Sequence, residues 1–90
     1  MLEYVANSIR RLRIAKRLSQ LELSASANMS QSFIANLETG KKEPSAMTLI
    51  RLASALEVSP RDFFPDFHEI SAVDVKGEIK KEIIELLNRL

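Results

Sequence analysis

The sequence predicts an all-α domain, and three observations carry that expectation. Only two of the 90 residues are glycine. The apolar residues show little of the two-residue alternation that a half-buried strand requires. Four serines, Ser19, Ser30, Ser45 and Ser59, each stand where a helix can begin. A serine hydroxyl there accepts a hydrogen bond from an orphan backbone N–H of the first turn. Each serine also follows an apolar or proline residue that matches an apolar residue four beyond the cap: Leu18 with Leu23, Met29 with Ile34, Pro44 with Leu49, Val58 with Phe63. This is the spacing of the hydrophobic staple.

The elements follow in order. A first helix is expected over 3–17, with Val5, Ile9 and Leu12 on one face. A second runs over 20–27, opened by Ser19 with Glu22 three residues on, a capping box; Leu23 and Ala27 face inward. A third runs over 31–39 with Ile34 and Leu37 inward and Phe33 beside them, and Gly40 closes it in the left-handed conformation. A fourth runs over 46–56, burying Leu49, Leu52, Ala53 and Leu56. Ser59 and Pro60 open a short fifth turn over 60–64, because proline at the first helical position loses no hydrogen bond. Residues 65–75 read as a connector, and 76–90 as an amphipathic C-terminal helix. Only Asn28, Met29 and Ser30 separate the second and third helices. Asn28 falls where a left-handed residue is needed, a conformation asparagine tolerates best after glycine. A three-residue turn with an apolar centre between two short helices is the helix-turn-helix pattern.

Composition narrows the function classes. With no cysteine and one histidine, a disulfide framework, a thiolate zinc site, a cysteine nucleophile and a histidine metal cluster are excluded. No metal, no cofactor and no catalytic residues are expected, and the chain is read as a non-enzyme. No apolar run approaches the roughly 18 residues of a membrane span, and the polar N-terminus is unlike a secretory leader, so a soluble cytoplasmic protein with no membrane partner is expected. The net charge of +1 argues against nucleic acid until the charges are placed. Residues 1–44 carry seven bases and four acids, whereas 45–90 carry six bases and eight acids. Such asymmetry points to a nucleic-acid face on the first half.

The run SQLELSASANMSQSFIANLETGKKEP over 19–44 resembles the lambda-repressor-like helix-turn-helix proteins, also called the Cro/XRE family. The resemblance covers about residues 6–64. It rests on Gln20, Ser24, Asn28, Met29, Ser30, Ile34, Glu38, Gly40 and Pro44 in register. Two positions depart from the usual pattern: Ser24 where alanine is usual and Asn28 where glycine is usual. The resemblance implies a five-helix DNA-binding domain over 1–64, with the motif at 20–39 and a recognition helix at 31–39. It also implies a symmetric dimer on duplex DNA.

The residues themselves agree. With Ile34 and Leu37 inward, Gln31, Ser32, Ala35, Asn36 and Thr39 share the opposite face. Amides pair with adenine edges, serine donates or accepts, and an alanine methyl meets a thymine methyl. Gln31, Ser32, Ala35 and Asn36 are therefore the expected base contacts. Gln20 at a helix N-terminus, Ser30, Thr39, and Lys41 and Lys42 beyond the third helix are the expected phosphate contacts. Arg10, Arg11, Lys16 and Arg17 are either further phosphate contacts or a solvated face, and His68 reads as an exposed connector residue. Glu38 is anomalous: a carboxylate in the last turn of a helix opposes the macrodipole, so a cationic partner is expected. The resemblance implies that the partner is Arg13, in a structural ion pair.

In the C-terminal stretch, Ile79, Ile83, Leu86, Leu87 and Leu90 form an apolar stripe that must be covered. A dimer interface is the favoured reading, with Phe63 and Phe64 as the other dimer candidates. Folding back on the first and fifth helices is the alternative, as is a groove for a partner protein such as a toxin. Two functions are therefore expected to compete. One is a sequence-specific transcriptional regulator on a palindromic operator. The other is an antitoxin whose tail holds a partner protein while its first domain autoregulates.

Overall fold

The computed structural model describes residues 1–65 together with Leu86, Asn88 and Arg89. The described residues form four α-helices and one 3-10 turn: α1 (Leu2–Ala15), α2 (Gln20–Ala27), α3 (Gln31–Glu38), α4 (Ala46–Leu56) and the turn Pro60–Phe63. The expected connector beyond residue 65 and most of the C-terminal helix, with Ile79, Ile83, Leu87, Leu90 and His68, lie outside the described residues.

Every serine cap forms. Ser19 accepts from the Glu22 N–H at 2.9 Å while Glu22 accepts from the Ser19 N–H at 2.9 Å. Ser30 accepts from the Phe33 N–H and Ser45 from the Thr48 N–H, both at 3.1 Å. Ser59 accepts from the Arg61 N–H at 3.3 Å, and Asp62 accepts from the Ser59 N–H at 3.1 Å. That second reciprocal box was not legible because the acid is an aspartate in a 3-10 turn. The short fifth turn expected over 60–64 is a single 3-10 turn over Pro60–Phe63 rather than a fifth α-helix. Phe64, which precedes Pro65, is extended at φ −114° and ψ 153°, as the proline ring requires of the residue before it.

Three of the connections share one construction. A left-handed residue is followed by an apolar residue and then by the serine that caps the next element: Arg17-Leu18-Ser19, Asn28-Met29-Ser30 and Glu57-Val58-Ser59. Arg17, Asn28 and Glu57 have φ of 59°, 56° and 57°. The N–H of the apolar residue then donates to a carbonyl five residues back, Leu18 to Arg13, Met29 to Ser24 and Val58 to Ala53. This is the Schellman closure of a helix. The first helix therefore stops at Ala15 rather than at 17. Leu18, Met29 and Val58 are each half-buried against the core. One side chain thus closes the helix behind it and staples the helix ahead of it.

The core is a single cluster: Val5 and Ile9 of α1, Leu23 and Ala27 of α2, Ile34 and Leu37 of α3, Leu49, Leu52, Ala53 and Leu56 of α4, and Phe63 and Phe64. Each large member contributes roughly 1.5–3 kcal/mol of burial. Leu12 is only half-buried at the rim of this face. The departure at Ser24 is accommodated, since its buried hydroxyl donates to the Leu21 carbonyl oxygen at 2.7 Å. α2 packs on both α3 and α4, and α1 packs on α3, α4 and the 3-10 turn. The orientation of α3 is thereby set from two sides.

Candidate nucleic-acid interface

α3 is the last short helix of a compact helix-turn-helix unit. Asn28 adopts φ 56° and ψ 51° at the end of α2, and Ser30 returns to extended backbone and caps α3. Ile34 and Leu37 are fully buried beneath the helix. On the far side Gln31 and Ser32 are exposed, and Ala35 and Asn36 are half-buried. The first turn of α3 holds no acidic residue, so nothing there opposes a phosphate-rich partner at the positive end of the helix dipole.

The last turn of α3 is held by a buried polar network. Glu38 has a side chain only 2% exposed. Its Oε2 accepts from Arg13 Nε at 2.6 Å, and its Oε1 accepts from Arg13 Nη2 at 3.0 Å and from Gln20 Nε2 at 3.2 Å. Arg13 Nη1 donates to the Leu18 carbonyl oxygen at 2.8 Å. A two-pronged arginine–carboxylate pair fixes direction as well as distance. Hydrogen bonding to Glu38 raises the Arg13 pKa above its ordinary value, against a smaller lowering by partial burial. One carboxylate thereby joins α1, the start of α2 and the end of α3. It also repairs the unfavourable placement of Glu38 against the α3 dipole.

The remaining expected phosphate residues fall into two groups. Lys41 and Lys42 are exposed just past α3. The Lys42 N–H donates to the Asn36 carbonyl oxygen at 3.1 Å, and Gly40 turns the chain at φ 77°. Ser30 is exposed, with its hydroxyl 3.3 Å from that of Ser32. The other two are engaged within the protein. The Thr39 hydroxyl donates to the Ala35 and Asn36 carbonyl oxygens at 3.0 and 3.3 Å. The Gln20 amide is turned inward to Glu38, while its backbone N–H at the start of α2 has no helical partner.

Sequence reasoning missed one cation. Arg51 of α4 reaches the turn between α2 and α3, and its Nη2 donates to the Ala27 and Asn28 carbonyl oxygens at 2.8 and 2.7 Å. A basic residue on a helix after the motif carries no local signal for such a contact. Of the expected dimer residues, Phe63 and Phe64 lie in the core of the protomer, 0% and 7% exposed. The 3-10 turn packs against both α1 and α4, which buries these rings within the protomer. Leu86 is half-buried against the same core, so at that residue the stripe is covered by its own domain. Among the described residues no cluster of metal-ligating side chains occurs, and no helix is long and apolar enough to cross a membrane.

Comparison with known proteins places this geometry in a family. The Helix-turn-helix family model (HTH_3) matches residues 9–63. An uncharacterized HTH-type transcriptional regulator, y4dJ, of Sinorhizobium fredii is 41% identical over 59 residues, 66% of this chain and 77% of that protein. The crystal structure of the restriction-modification controller protein C.AhdI from Aeromonas hydrophila superposes with a TM-score of 0.68 at 33% identity. It covers 70% of this chain and 96% of that one. The clp gene regulator ClgR from C. glutamicum superposes with a TM-score of 0.67 at 30% identity, covering 70% of this chain and 83% of that one. The chain therefore belongs to the Cro/XRE-type helix-turn-helix family of DNA-binding transcriptional regulators.

Proposed function

We propose that the protein binds double-stranded DNA sequence-specifically as a homodimer on a palindromic operator, with α3 in the major groove of each half-site. The observation that carries this reading is the uncharged outer face of α3, Gln31, Ser32, Ala35 and Asn36, on a helix whose opposite end is locked by Glu38. Side chains of this kind discriminate base edges, whereas contacts to phosphate carry no sequence information directly. Gln20, Ser30, Thr39, Lys41 and Lys42 hold the backbone on either side. For Gln20 the group is the backbone N–H, and for Thr39 a hydroxyl oxygen is left to accept a bridging water. Two copies are required because one short helix reads too few base pairs, and a two-fold axis places two helices one DNA turn apart. The stripe of Ile79, Ile83, Leu86, Leu87 and Leu90 supplies the second chain's contact, with Leu86 shared between that contact and its own core.

Selection of bound duplexes from a random pool, followed by fluorescence anisotropy, tests the reading. The expected result is an enriched sequence with internal two-fold symmetry. Replacing Lys41 with alanine should weaken binding to all duplexes alike and lower the salt slope by about 1. Sedimentation of the full chain and of residues 1–65 should give a dimer and a monomer; a dimer from both would move the interface away from the C-terminal stripe.

A further inference from the structure

We infer that Arg51, a residue of α4 outside the helix-turn-helix unit, is a positioning residue for the recognition helix and thereby sets base discrimination. The inference rests on the reading that α3 contacts bases. Four observations converge on it. The last turn of α2 contains no basic residue of its own, so a cation from another element can act on its terminal carbonyls and on the negative end of its dipole. Arg51 supplies it, with one guanidinium nitrogen bridging the Ala27 and Asn28 carbonyl oxygens at 2.8 and 2.7 Å. Asn28 is a non-glycine residue at φ 56°, a conformation asparagine tolerates better than most residues but one that still gains from bonds that hold it. Finally, Arg51 precedes Leu52 on α4 and lies two residues after Leu49, both buried in the core, so the arginine backbone is anchored.

The consequence is mechanical. Only Met29 lies between Asn28 and Ser30, the cap of α3. Any freedom in the Asn28 peptide therefore passes straight into the angle of α3, with no flexible residues to absorb it. Glu38 fixes the end of α3 and Arg51 fixes the turn that starts it, so the helix is held at both ends by guanidinium groups from different elements. Base contacts depend on this more than phosphate contacts do, because a bidentate pairing tolerates less misalignment than a charge attraction.

The test uses the full chain and the operator enriched by the wild-type protein. Arg51→Met, Arg51→Leu and Arg51→Lys are compared at a temperature where circular dichroism shows each fully folded; Arg51→Leu stands in if Arg51→Met does not fold. Binding to the operator and to a random duplex is measured across a salt series. The preference for operator over random duplex should fall about tenfold in Arg51→Met and recover to within about threefold of wild type in Arg51→Lys. The salt slope should be unchanged, and exchange of the Met29 amide hydrogen, bonded to Ser24, should quicken. An unchanged preference in the donor-free variant overturns the inference. So does equal loss on both duplexes with a salt slope lower by about 1, which would make Arg51 a phosphate contact. A wild-type protein that enriches no sequence fails earlier, and overturns the base-reading assignment together with this inference.

Discussion

The corner between α2 and α3 and the corner after α4 are built alike locally and finished differently. Each has a left-handed residue, Asn28 or Glu57, then a half-buried apolar residue, then a capping serine. At the first corner a distant arginine binds the turn carbonyls, and at the corner between α1 and α2 Arg13 binds the Leu18 carbonyl oxygen at 2.8 Å. At the corner after α4, among the described residues, no side chain hydrogen-bonds the turn carbonyls, and Phe63 anchors the far side by burial instead. Burial is non-directional: it stabilises strongly and specifies angle weakly. Charged hydrogen bonds do the reverse, since two partners fix a line and their removal leaves a desolvated charge. The two corners that frame α2, and so aim α3, are the ones given directional bonds.

The comparison breaks first at the two anchors. Glu38→Ala leaves Arg13 without its partner and should cost about 3 kcal/mol, with ~5 as the fully buried limit. Phe63→Ala should cost a similar ~3–5 kcal/mol through lost burial and a cavity. Urea unfolding measures both. The two should part in DNA binding measured under folding conditions: Glu38→Ala should lose operator preference and Phe63→Ala should keep it. Equal behaviour would erase the distinction between directional and apolar anchoring. Asn36→Ala should relax operator preference by ~1–3 kcal/mol while leaving stability and random-duplex affinity nearly unchanged.

Smaller effects sharpen the contrast. Glu57→Gly removes the left-handed penalty of roughly 1–2 kcal/mol, and a chain-entropy loss of roughly 0.5–1 kcal/mol offsets part of it, so a slight gain in melting temperature is expected. Asn28→Gly should gain less, because asparagine already tolerates that conformation. A larger gain at Asn28 than at Glu57 would overturn this ranking. The smallest effect belongs to Glu22. The Ser19 backbone N–H and then its hydroxyl hold this exposed carboxylate below the usual glutamate value of about 4.3. A depressed folded-state pKa contributes stability that is present above the unfolded value and lost as the pH falls through the folded one. Glu22→Gln should therefore lower stability slightly at neutral pH, leave it nearly unchanged in strong acid, and so flatten the acid limb of the stability profile, as denaturant titrations across pH would show.

The sequence-legible part of the fold is the part encoded by neighbours. The caps at Ser19, Ser30, Ser45 and Ser59, the left-handed Asn28 and Gly40, and the buried Ile34, Leu37, Leu49 and Leu52 all follow from spacings of a few residues. Arg17 and Glu57 were not legible as left-handed residues, since neither type favours that conformation. The signal that finds them is positional: each stands two residues before a capping serine, as Asn28 does. Within the candidate site, the pairing of Arg13 with Glu38 was legible because a carboxylate against a helix dipole demands a cation, and the family resemblance said which one.

Local chemistry thus decided where each helix begins and ends, which face is apolar, and that an uncharged amide face would stand on the third helix. Caps, left-handed turns and helical periodicity act over one or two turns, so the chain alone specifies them. Tertiary structure decided the rest: that Gln20 turns inward to Glu38, that Arg51 reaches back 23 residues to the turn carbonyl of Asn28, and that Phe63 and Phe64 are buried within the protomer. These outcomes depend on which elements meet. Hydrogen bonds and burial between distant residues exist only once packing has brought the partners within reach.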